Sequence, residues 1–167
     1  MYSKIENFEK SYKILVEGTQ KIMDALTDES LKQSVADDHR TLGRMAWHIV
    51  TTVPEMMGEL GMKFDALAKD APLPATTEEI KNSYRAVTGE LLKQVTGEWK
   101  DETLFQVDEL YGEKWPRGLT LRILVNHEIH HRGQMTVLMR QAGLPVPGVF
   151  GPAREEWTAY GMPPPEI

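Results

Sequence analysis

Residues 3–26 read SKIENFEKSYKILVEGTQKIMDAL, with apolar or near-apolar positions at Ile5, Phe8, Tyr12, Leu15, Thr19, Ile22 and Leu26. The steps alternate between three and four residues, which is the seam of an amphipathic helix built to pack in a bundle. Ser3 and Glu6 stand at the S-x-x-E spacing of a capping box, so this helix is predicted to begin near residue 4. The same pattern recurs further along. Leu42, Met45, Ile49, Val53 and Met56 mark a second helix, starting at Asp38 or Thr41 and running to Leu60, with Pro54 expected to kink it. A second capping box, Thr76 with Glu79, opens a third helix that turns Ile80, Tyr84, Val87 and Leu91 inward.

Between the second and third helices the chain passes through Asp70-Ala71-Pro72-Leu73-Pro74, which cannot continue a helix. That long connection permits an overhand crossover rather than a tight turn. Leu104–Val107 is predicted as a short extended piece and Tyr111-Gly112 as a turn. A fourth helix follows Pro116-Arg117-Gly118 and stops at Gly143, with Pro145 beyond. From about residue 144 the chain reads as an extended tail, with Phe150, Trp157 and Tyr160 as candidate anchors to the bundle. The fold class predicted is all-α, a four-helix bundle occupying residues 1–167 as one domain.

Composition narrows the function. At 167 residues, 41% hydrophobic and 26% charged, the chain supports one folded core. Nineteen basic against 25 acidic residues leave a net charge of −6, a poor match to a phosphate backbone, so no nucleic-acid partner is expected. No apolar run approaches a membrane span and the first residues lack a signal-peptide pattern, which predicts a cytoplasmic protein with no membrane partner. Cysteine is absent, so the chain has no disulfide, thiolate ligand or Cys nucleophile.

Histidine is the informative residue. Of the five (His39, His48, His127, His130 and His131), three fall in Asn126-His127-Glu128-Ile129-His130-His131. An H-E-x-x-H run of this kind arises by chance roughly 0.015 times in a chain of this length. On a helix, His127 and His131 lie about 40° apart, one turn above the other. Thr120, Leu124, Gln134 and Leu138 share their face, which reads as the inward stripe, while Ile129 and Thr136 point away. Buried imidazoles need partners, and a divalent cation bound by their nitrogens satisfies both. Two ligands make a poor catalytic site, and His48, beside the apolar stripe of the second helix, is the natural third. Three His with open positions beyond them would be a catalytic arrangement. His130 is a second candidate, either supporting the site or on the surface. Gln134 is a candidate for a supporting hydrogen bond at the core edge, and His39 is expected in solvent. Glu128, about 100° round from His127, is either a catalytic proton carrier or a solvent-facing residue. Read literally, H-E-x-x-H also describes a zinc peptidase, with Glu128 as base and Glu155 or Glu156 as a further ligand. No set of alternating strands favours that reading.

Arg40-Thr41-Leu42-Gly43 leading to Trp47-His48-Ile49-Val50, then Asn126–Gln134, Leu138–Gly143, and Gly151-Pro152 with Trp157, resemble the DinB/YfiT-like family over most of the chain. The resemblance implies an up-down-down-up four-helix bundle that forms homodimers. It also implies a divalent metal, Zn or Ni, held by His48, His127 and His131. Relatives of that kind include thiol S-transferases that use a low-molecular-weight thiol as cosubstrate. The activity implied is a metal-dependent transferase or hydrolase acting on a small-molecule substrate; the alternative is a bundle that binds metal or ligand without catalysis.

Overall fold

The structure, a computed structural model, describes residues 1–67 and 70–166. Four long helices form the bundle: α1 (Ile5–Asp24), α2 (Leu42–Gly58), α3 (Thr77–Glu98) and α4 (Arg117–Gln141). Between α3 and α4 lies a small antiparallel hairpin of β1 (Val107–Leu110) and β2 (Glu113–Pro116). Every member of the α1 seam from Phe8 to Leu26 is buried, as are the inward positions read for α2 and α3. Fully burying each large apolar side chain of this kind stabilises the fold by about 1.5–3 kcal/mol.

Contacts between helix ends fix the directions. Tyr2 N–H donates to the Gly118 carbonyl at 2.9 Å, which sets the starts of α1 and α4 side by side. Asp28, just past α1, accepts from the N–H of Thr77 at 2.7 Å, so the end of α1 meets the start of α3. Gln94 Nε2, near the end of α3, donates to the carbonyl of Lys63, just past α2, at 2.8 Å. With α1 up, α2 and α3 therefore run down and α4 runs up. In cross-section α1 and α2 each lie against both α3 and α4. The connection after α1 is long because α1 and α2 occupy opposite corners, and the one after α2 because α2 and α3, though adjacent, run the same way.

Several local expectations are corrected. Ser3 does not cap α1: Lys4 is the N-cap residue, without a side-chain cap bond. Asp101 supplies the acceptor instead, taking the N–H of Ile5 and the Lys4 ammonium, both at 2.9 Å. A carboxylate brought in by tertiary structure thus satisfies an orphan N–H at the positive end of the helix. Thr76 does cap α3, accepting from Glu79 N–H at 3.3 Å. α2 starts after Thr41 and continues through Pro54 without a break, although proline leaves one carbonyl of the preceding turn without its usual donor. Residues Asp101–Phe105 form a 3₁₀ turn, and the extended segment begins only at Val107. The Tyr111-Gly112 turn is present: both residues have positive φ, 54° and 81°, as a two-residue hairpin requires.

The tail is not simply extended, since Arg154–Tyr160 make a 3₁₀ turn. Tyr160, 66% exposed, does not anchor it, while Phe150, 73% exposed, meets the bundle through the Arg132 guanidinium over its ring. Val146 is buried and Val149 packs on the core. Glu156 closes the tail on itself by accepting from the N–H groups of Gly148 and Ala153 at 3.0 and 2.9 Å. At the other end of α4, a side chain on Gly118 would strike the backbone carbonyl of Tyr2, so glycine is what lets the N-terminal segment lie against this helix. Among the described residues no helix is long and apolar enough to cross a membrane.

Candidate metal centre

The rotation of α2 is set by its buried face, Leu42, Met45, Ile49, Val53 and Met56, which leaves His48 half-buried on the flank towards α4. The rotation of α4 is set by Leu121, Val125, Glu128, Arg132, Met135 and Met139, all buried. His127 and His131 therefore do not sit at the centre of the inward stripe. They occupy its edge, half-buried, with Gln134 exposed one turn on. This corrects the expected placement in the core and puts the pair where α4 meets α2.

There the three imidazoles converge. His48 Nε2 is 3.2 Å from His127 Nε2, and His131 Nε2 is 3.1 Å from the same atom. One nitrogen from each ring lies within 4.8 Å of the others, and these three residues form the one such group of His, Asp or Glu among the described residues. Imidazole nitrogens about 2.0–2.1 Å from a shared cation stand about 2.9 Å apart at octahedral angles and about 3.4 Å apart at tetrahedral ones. The two separations from His127 Nε2 fall between these values. Three neutral rings aiming Nε2 at one point cannot pair all their lone pairs with N–H donors, whereas a cation resolves the conflict. The donor set therefore fits a divalent transition metal.

Electrostatics favours the ligand form. Burial pushes the pKa of His48 down to about 4, with the Arg40 charge and the two neighbouring imidazoles acting in the same direction. His127 is likewise pushed to about 4 by burial, then by His131, His130 and Arg40. Burial also lowers His131, opposed by its bond to Gln134. The rings are neutral near pH 7, with lone pairs free to coordinate. Gln134 Oε1 accepts from His131 Nδ1 at 2.7 Å, which leaves Nε2 unprotonated and holds the ring in orientation. The carbonyl of His48 accepts from Thr52 Oγ1 at 2.7 Å, the usual back-bond of a helical threonine.

Other histidines behave differently. His130 is exposed, its ring 4.9 Å from that of His131. His39 is exposed, with Nδ1 2.7 Å from Asp38 Oδ1. Trp47 is buried, and its indole N–H ties down the following connection by donating to the Ala71 carbonyl at 3.2 Å.

Glu128 neither faces solvent nor joins the histidines. It is 2% exposed, and its Oε1 accepts from the Tyr84 hydroxyl at 2.6 Å and the Thr19 hydroxyl at 2.7 Å. Burial raises its pKa, against the pull of those two bonds and of Arg132. Arg132, also buried, donates to Thr19 Oγ1 at 3.1 Å and the Leu15 carbonyl at 3.3 Å, and its guanidinium stacks over Phe150. A peptidase built on H-E-x-x-H needs this carboxylate beside the metal; here it bridges α4 to α1 and α3 inside the core. Glu155 and Glu156, the further ligands of that reading, are engaged with Arg140 and with the tail backbone. Sequence reasoning missed the buried polar cluster in which Thr19 links Glu128 to Arg132. Its signals were the i, i+4 spacing of the two charges and Thr19, the one hydroxyl in the α1 seam able to meet both.

The DinB family model matches residues 1–166. The uncharacterized protein YrdA of Bacillus subtilis (strain 168) is 41% identical over 167 residues, all of both chains. The crystal structure of a DinB-like protein from Bacillus cereus ATCC 10987 is 47% identical, with a TM-score of 0.86 covering 90% of this chain and all of that one. A second DinB-like protein, YjoA from B. subtilis, shares the fold at 16% identity, with a TM-score of 0.68 over 86% of this chain and 97% of that one. A helical bundle with three convergent imidazoles, matched from end to end by this family model and by a relative of equal length, belongs to the DinB family.

Proposed function

We propose that this protein is a divalent-metal-dependent enzyme, a thiol S-transferase or hydrolase, working at His48, His127 and His131 on a small-molecule substrate. The observation that carries this reading is the convergence of three Nε2 atoms at a half-buried edge of the bundle, 3.1–3.2 Å between neighbours. A divalent ion there, Zn or Ni, supplies Lewis acidity that lowers the pKa of a thiol or a water. Three protein donors leave positions for such a group, and the half-exposure of the rings leaves it a route in.

The chain's own residues divide the work. His48 holds its position from α2 while His127 and His131 hold theirs from α4, so packing of the two helices sets the donor triangle. Gln134 keeps His131 in the tautomer that offers Nε2. The exposed ring of His130, 4.9 Å from that of His131, is an imidazole able to accept the proton released by the thiol or water. With no cysteine in the chain, a thiol nucleophile comes from a low-molecular-weight cosubstrate. The reading includes a cytoplasmic homodimer as the working form.

One observation favours a second reading. Glu128 sits in the core, so no carboxylate joins the three histidines among the described residues. A bundle that holds metal or ligand without catalysis would need none. Elemental mass spectrometry on untagged protein, beside His48→Ala and His131→Ala, followed by a panel of thiols and electrophiles, separates the two. About one ion per chain, lost in both variants, with metal-dependent consumption of a thiol or ester, is the expected result. An ion without turnover leaves the binding bundle, and no ion in the wild type, even on titration, removes the enzyme and the metal-holding form of that bundle.

A further inference from the structure

A cavity of about 380 Å³ opens beside the histidine cluster, between α4 and the segment that leads into α2. His131 forms part of its wall, so it borders the candidate metal centre. Its apolar side is Val35, Met45, Val137 and Leu138, and its polar side includes Arg40. Such a volume is in the range of small-ligand sites.

Two features of this wall are unexplained by the fold. Val35 and Val137, both on the cavity wall, are 59% and 56% exposed, with their methyl groups in water. Arg40 is exposed and makes no salt bridge among the described residues; the neighbouring carboxylate Asp38 is engaged by His39 instead. Its charge nonetheless reaches all three imidazoles. In a chain of net charge −6, an unpaired guanidinium beside a cation-binding triangle is a local positive spot. A guanidinium pairs with a carboxylate through two parallel N–H bonds, and the two valines and Leu138 suit an apolar body.

We propose that this cavity is the subsite for a small organic anion with an apolar body, its carboxylate paired with Arg40 and its chain lying against Val35 and Val137. The inference rests on the metal-centre reading for what the ligand meets at its inner end, and on Arg40 alone for anion recognition.

Octanoate, with octanamide as the neutral isostere and butanoate and hexanoate as shorter chains, tests this by calorimetry. The titrations are run on metal-loaded protein and again after chelation. Octanoate is expected to bind the wild type more tightly than hexanoate and butanoate, by up to about fourfold for each buried methylene. Arg40→Gln is expected to weaken it about tenfold or more with and without metal, and Arg40→Lys less. Octanamide should bind the wild type no better than octanoate binds Arg40→Gln. Because Arg40 is exposed, both variants should melt with the wild type, and a melting curve on each sample checks this. Equal affinity of Arg40→Gln and wild type, equal affinity of amide and carboxylate, or no octanoate binding overturns the proposal. So does a dimer, seen by sedimentation, that buries Val137 and excludes octanoate. Metal content measured on the same samples separates the two readings: Arg40-dependent binding in a protein that takes up no metal keeps the subsite and removes the enzyme, and the converse removes only the subsite.

Discussion

Replacing Glu128 with alanine isolates what the core carboxylate does. In the wild type its Oε1 takes the hydroxyl hydrogens of Tyr84 and Thr19, at 2.6 and 2.7 Å, and Thr19 in turn accepts from buried Arg132. Alanine leaves two buried hydroxyls short of an acceptor. Each orphaned neutral group costs about 1–3 kcal/mol. For the two hydroxyls, about 4 kcal/mol is the expected total. For a domain of this size each kcal/mol moves the melting point by about 2–4 °C, which predicts a fall on the order of 10 °C. Glu128→Gln keeps an acceptor for both hydroxyls and loses only the charge, so it should cost about 1 kcal/mol. The assay is thermal melting followed by circular dichroism, with metal content measured on the folded glutamine variant. An alanine variant that melts with the wild type refutes the structural role. A glutamine variant that melts with the wild type but loses metal-dependent activity refutes the separation of Glu128 from the chemistry.

Two further outcomes follow from individual contacts. Gln134→Ala should weaken metal binding by about ten- to a hundredfold in competition with a chelator, while leaving melting of the metal-free protein unchanged, because Gln134 is exposed and its one structural tie is to His131. Asp28 accepts both the N–H and the hydroxyl of Thr77, and these bonds hold its pKa below the usual carboxylate value. A depressed folded pKa stabilises above that ordinary value and is lost as pH falls through the depressed one. The gap in urea midpoint between wild type and Asp28→Ala should therefore be widest near pH 7 and close below about pH 4. A gap that widens in acid would contradict the assignment.

The helices were legible because each carries a long periodic stripe and a stop, and burial obeyed both. What failed was local chemistry overridden by distant residues. Ser3 and Glu6 have the right spacing to cap α1, yet Asp101, nearly a hundred residues on, reaches the Ile5 N–H and the Lys4 ammonium together. A one-dimensional motif cannot anticipate a competitor delivered by the turn after α3. The tail shows the same limit. Its aromatics are the conspicuous anchors by composition, but apart from Phe150 beneath Arg132 the contacts fall to Val146 and Val149, and Val149 fits beside Gly18, where a side chain would clash with it.

The histidines show how three candidate ligands can converge even though their expected placement in the core is wrong. Thr120, Leu124 and Leu138 share the azimuth of His127 and His131, and all three are buried, so the inward reading was consistent with every apolar neighbour. But α4 packs against both α1 and α2, and its buried residues span about 160° of arc from Thr120 and Leu138 to Gly118. The histidines sit at the α2 end of that arc, where a ring is half in and half out. Glu128 lies near its middle, which is why the charged residue of H-E-x-x-H enters the core and the two potential ligands do not. Polarity alone cannot separate edge from centre in such a wide arc. Gln134 can: a polar side chain one turn beyond His131, about 20° from the azimuth of His127 and outside the buried arc, marks where the buried surface ends. An edge position is also what a three-donor centre needs if a substrate is to reach its open side.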